Sequence, residues 1–160
     1  MKKPIRYALY SIGAVLVIIQ FFRIDKSAPS VNPQDDFLTL TQAPTEVAQL
    51  VRSACYDCHS YETKYPWYSN VAPISWWVKQ HINEGREHLN YNLYGSYSPK
   101  KQAHKVEESI EAIRDGWMPL DSYTWNHPEA RLSPQQRVML ADWFAGLGLA
   151  EGGEGADNHE

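Results

Sequence analysis

The segment Cys55-Tyr56-Asp57-Cys58-His59 contains both cysteines of the chain and sets a histidine directly after the second. Two thiols separated by two residues lie about one helical turn apart. That spacing lets them add across two vinyl groups on one edge of a haem, while the adjacent imidazole binds the iron. The motif therefore predicts one haem c per chain, attached covalently at Cys55 and Cys58, with His59 as an iron ligand.

Three other chemistries suit two nearby thiols. A thioredoxin-like redox pair normally follows a strand in a βαβ pattern, and this sequence has no such pattern. A zinc site would need two further ligands, but His81 and His88 stand ~10 Å apart along one helix and cannot both join it. A disulfide across so short a loop gains little chain entropy and leaves His59 without a role.

An electron-carrying haem fills its second axial position, so a further ligand is expected downstream. Met118 follows Gly116 and precedes Pro119, in a stretch released from the preceding helix and free to cross the haem face. A thioether there raises the reduction potential. His81 is the rival, because it shares the apolar stripe of its helix and an imidazole so placed needs a partner. His88, His104 and His127 sit near helix ends or in a Pro-containing loop, where solvated or capping roles are commoner. Trp67, Trp76, Trp77, Trp117 and Trp125, with Tyr65, Tyr68 and Tyr123, supply aromatic surface to wall a macrocycle.

Helices must deliver these groups. Pro44 suits a first turn, and Val47, Leu50, Val51 and Ala54 recur with helical spacing up to Cys55. A second helix is expected from Pro73, with Ile74, Trp77, Val78, His81 and Ile82 on one face. A third follows the N-cap pair Ser98-Pro99 and closes at Gly116. The last begins at Ser133-Pro134-Gln135-Gln136, a capping box with proline in the first turn, and stops at Gly146 or Gly148. No segment alternates like a strand. The expected fold is all-α, a small cytochrome c-like helical domain around one haem.

The N-terminus carries Lys2, Lys3 and Arg6, followed by an uncharged run from Tyr7 to Phe22 that Ile5 and Ile24 can extend. Residues 1–24 read as a membrane anchor or export signal, and the cations keep the start of the chain cytoplasmic. The small-residue cleavage candidate, Ala28-Pro29-Ser30, lies beyond three charges, which favours a retained anchor. Residues 25–42 are polar and proline-containing and read as a linker. Residues 43–150 form the haem domain, and residues 151–160 an acidic disordered tail.

The net charge of −4, from 15 basic and 19 acidic residues, argues against a nucleic-acid partner. Export agrees with the motif, because bacteria attach haem c on the outer side of the cytoplasmic membrane. The expected location is the periplasmic face, held by a single-pass helix, with a redox protein as partner.

The stretches CYDCHSYETKYPWYSNVAPISWW (Cys55 to Trp77), NEGREHLN (Asn83 to Asn90) and GWMPLDSYTWNHPEARLS (Gly116 to Ser133) resemble the small bacterial haem-binding domain family, over residues from about 43 to 143. The resemblance implies haem c on Cys55, Cys58 and His59 with Met118 as distal ligand, and implies no reaction. The expected function is one-electron transfer rather than catalysis. A haem-based sensor, with an open or labile distal site, is the alternative, and a peroxidase would need a positioned acid or base such as His81.

Overall fold

A computed structural model describes residues 3–152, with side chains described through residue 147; the expected tail falls mostly beyond this, residues 153–160 lying outside the described residues. Every regular element among the described residues is helical. Helix α1 spans Lys3–Ile18 and runs into a 3₁₀ turn, Ile19–Phe21, giving 19 residues long and apolar enough to cross a bilayer, with no part buried in the protein. The remaining helices are α2 (Phe37–Leu40), α3 (Thr45–Ala54), α4 (Tyr56–His59), α5 (Ile74–His88), α6 (Pro99–Arg114), α7 (Asp121–Thr124) and α8 (Pro134–Gly152).

Local signals set the ends of the longer helices. Ser98 caps α6 by accepting from the Lys101 amide, and Gly116 follows its end with a φ of 79°, a left-handed conformation that suits glycine. At the start of α8 the capping box is reciprocal: Ser133 N donates to Gln136 Oε1 at 2.8 Å and Gln136 N donates to Ser133 Oγ at 3.2 Å. The stop expected at Gly146 or Gly148 is not used, and α8 continues to Gly152. An isolated glycine weakens a helix without ending it unless the backbone turns left-handed.

Helices α6 and α8 pack as a pair, and α4 lies on α5. The core between these layers contains Val51, Val106, Ile113, Leu140 and Phe144. Its centre comes from a segment expected to be a tether. A 3₁₀ turn at Pro33–Asp35 leads into α2, where Phe37 is fully buried. The Phe37 ring lies 4.9 Å from both Tyr91 and Tyr94 and 5.4 Å from Phe144, centroid to centroid. The folded part therefore begins near residue 33 rather than 43. A four-residue helix is too short to show periodicity, and the polar residues around it mask its two core positions.

Asp36 ties this segment to the cysteine motif. Its carboxylate caps α2 by accepting from the amides of Leu38 and Thr39, and accepts from the Tyr56 hydroxyl at 2.9 Å and from Asn92 Nδ2 at 3.0 Å. Burial and the neighbouring Asp36 push the Tyr56 hydroxyl well above its ordinary value, so it serves as a donor. Asp36→Ala leaves the buried Tyr56 hydroxyl without its acceptor, takes from Asn92 Nδ2 one of its two acceptors, and removes a cap. We expect it to destabilise the domain by about 3 kcal/mol or more, read as a lowered urea midpoint, with Asp36→Asn losing less. An unchanged midpoint in Asp36→Ala refutes the structural weight given to this carboxylate.

Candidate functional site

Helix α3 ends at Ala54, and α4 turns Tyr56 to His59 through a single helical turn, closed by the His59 amide on the Cys55 carbonyl at 2.9 Å. Cys55 and Cys58 carry free thiols, each partly buried. Burial pushes the Cys55 thiol up to about 12 and the Cys58 thiol up to about 11, so both are neutral at physiological pH. Neighbouring Tyr56 is buried and stacks on Tyr91 at 5.2 Å.

His59 is oriented by main chain. Its Nδ1 lies 3.1 Å from the carbonyl oxygen of Leu89. A carbonyl only accepts, so Nδ1 carries the proton and Nε2 is left with its lone pair, the form in which imidazole binds a metal. Burial lowers the basicity of His59, against the raising effect of the Leu89 and Gly85 backbone oxygens, and so favours the neutral ring. A backbone partner for the second ring nitrogen is the usual device for fixing a metal-binding histidine.

Close approach of α5 makes this possible. A Cβ added at Gly85 would stand 2.7 Å from the Cys58 carbonyl oxygen, so only glycine lets the helix lie against the motif turn. The next residue, Arg86, holds the segment after His59: Nε donates to the Ser60 carbonyl at 2.7 Å and Nη2 to Thr63 Oγ1 at 2.9 Å. The Asp57 carboxylate accepts from the Lys64 amide at 2.9 Å and from the Tyr123 hydroxyl at 2.8 Å, joining the motif to α7.

Beside the motif runs a groove of about 290 Å³, bounded by Cys58 and Asp57, by Ile74, Trp77, Val78, His81 and Ile82 of α5, and by Leu120, Tyr123 and His127. Trp67 and Tyr68 close another side. Its walls are mainly aromatic and aliphatic, which suits a flat apolar ligand. Of the motif, Cys58 and Asp57 reach the groove. Cys55 packs toward the core beside Tyr91, and His59 lies beside Leu89 with Tyr91 at 6.2 Å. Of the aromatic residues expected as walls, Trp67, Trp77, Tyr68 and Tyr123 take that place, whereas Trp76, Trp117, Trp125 and Tyr65 are not part of the lining.

The two candidates for the second axial position are placed differently. Met118 is partly buried in the loop after α6 and does not belong to the groove lining. Its amide donates to the Ala112 carbonyl at 3.2 Å, and its carbonyl accepts from Arg137 at 2.7 Å. His81 stands in the groove wall, where Nδ1 donates to the Trp77 carbonyl at 2.9 Å and Nε2 is left with its lone pair. His127 also lines the groove, a position the sequence reading did not anticipate. Both of its nitrogens are engaged, Nε2 with Tyr68 Oη at 3.0 Å and Nδ1 with Glu129 at 3.2 Å.

The motif turn brings together two free thiols and an imidazole whose outer nitrogen is already committed, and an apolar groove runs alongside with Cys58 in its wall. No curated protein and no solved structure matches the chain. The sequence model of the haem-binding domain matches residues 14–146, well over half of the length, and the chain therefore belongs to the haem-binding domain family.

Proposed function

We propose that this chain holds one haem c through thioether bonds at Cys55 and Cys58, with His59 Nε2 on the iron, and acts as a one-electron carrier on the periplasmic face of the membrane. The observation that carries the reading is the motif turn itself, with its two free thiols and with His59 Nδ1 pinned on Leu89. When bound, the haem supplies a ferric/ferrous couple.

The protein's own residues orient and shield. Leu89 fixes the ring of His59 and Gly85 lets α5 close on the turn, while Trp67, Trp77 and Tyr123 keep water from the groove. Such a role needs no catalytic acid or base. The alternatives are a sensor whose distal site opens to a small ligand and, less favoured, a peroxidase.

Met118 is proposed as the second axial ligand, on its place in the loop between α6 and α7. Groove geometry favours a second reading, in which His81 takes that position through its free Nε2. The chain is to be produced with haem-attachment machinery, and its intact mass and visible spectrum recorded. A mass gain of one haem that survives acid extraction, with a low-spin spectrum, supports the carrier. Loss of the far-red methionine band in Met118→Leu assigns Met118, and an absent band with a high-spin shift in His81→Ala assigns His81. No covalent haem refutes the attachment, and a high-spin iron that binds carbon monoxide refutes the closed carrier.

A further inference from the structure

Helix α1 does not leave the domain on a loose tether. Gln20 is bonded to both polar groups of Ala72: its Nε2 donates to the carbonyl at 2.9 Å and its Oε1 accepts from the amide at 3.0 Å. Trp76 Nε1 donates to the Phe22 carbonyl at 2.8 Å, and Lys26 Nζ donates to Asn70 Oδ1 at 2.7 Å. These bonds join the end of α1 to the start of α5, and so fix which face of the domain is presented where the apolar helix ends.

That face is unusually apolar for a surface. Phe21 and Phe22 stand exposed at the end of the helix, and Trp67, Val71, Ile74, Trp76 and Trp77 are exposed on or just before α5, with Trp67 at 77%. Single exposed apolar residues are ordinary, but three tryptophans beside the end of a bilayer-length helix are the arrangement of an interfacial belt. Arg23 and Lys26 line a cleft of about 170 Å³ at the same junction, where anionic headgroups find cations.

We propose that this face, from Trp67 to Trp77, lies in the headgroup layer of the bilayer that α1 crosses, its occupant being the phospholipid surface. The proposal rests on α1 as a membrane span and goes beyond it, because a span alone does not say which side of the domain meets the lipid. Trp67, Ile74 and Trp77 also line the haem groove, so one rim of that groove sits at the level of the lipid headgroups.

The test uses the full, haem-loaded chain in phosphatidylcholine/phosphatidylglycerol vesicles, with the photoreactive residue benzoylphenylalanine placed at position 67, 74 or 138. Val138 is the comparison, as an exposed apolar residue on α8. The expected result is phospholipid adducts at 67 and 74 in roughly tenfold excess over 138, since the apolar and headgroup layers are thin compared with the protein. Gln20→Leu should lower the yield at 74 while the chain stays in the membrane. If the chain resists carbonate extraction yet gives no excess of lipid adduct at 67 and 74, or links there to a protein instead, the face assignment is overturned and the anchor stands. If carbonate releases the chain, the anchor reading falls and takes this proposal with it.

Discussion

His59→Ala is expected to convert the low-spin spectrum to a high-spin one and to lower the yield of haem-loaded protein. The substitution removes the only imidazole of the motif and leaves the Leu89 carbonyl without its donor. The thioether-held haem stays on the chain when it unfolds, but the oriented iron–imidazole contact and the bond to Leu89 belong to the folded state, so their loss should also appear as a lowered denaturant midpoint. Leu89→Ala separates the two effects. It keeps the carbonyl that orients His59, so the spectrum should stay low-spin while stability drops by about 2–5 kcal/mol for the truncated core side chain. A His59→Ala protein with native spectrum and native denaturant midpoint would remove His59 from the iron.

Gly85→Ala should disturb the site through a single methyl group. Its Cβ would lie 2.7 Å from the Cys58 carbonyl oxygen and 3.1 Å from the carbonyl carbon, both main-chain atoms with no rotamer to change. Either α5 or the motif turn must move. Overpacking of this kind costs about 1–3 kcal/mol. Covalent haem, measured as the fraction of intact mass shifted, should fall several-fold because the spacing of the thiols and imidazole is disturbed. Gly146→Ala is the contrast: an added Cβ there meets nothing within 4 Å, and the residue lies inside α8. That variant should gain about 0.5–1 kcal/mol and attach haem normally. Equal haem yields in the two variants would show that the approach of α5 does not position the site.

The parts of this molecule that were legible in the sequence are those whose cause is local. Ser98, Ser133 and Gln136 announced α6 and α8 because a cap is a contact between residues three apart. The motif turn was legible because covalent chemistry dictates its spacing. Phe37 and Leu38 were not, since their burial depends on rings from Tyr91, Tyr94 and Phe144, far along the chain. Nor was the place of His127 in the groove wall, which is set by its long-range bond to Tyr68. The role of Gly85 was not legible either, since it depends on the position of the Cys58 main chain, far along the sequence.

Gln20, finally, alters how the domain would meet the redox partner proposed for it. A domain on a free leash of some ten residues samples a hemisphere above its anchor, and each collision finds it in a new attitude. With Gln20 fastened to Ala72 at both its amide and its carbonyl, the attitude is set, and what remains is lateral diffusion and spin about the axis of α1. The search becomes two-dimensional, and a partner that presents its own electron port at the height of the groove need only match it in the plane.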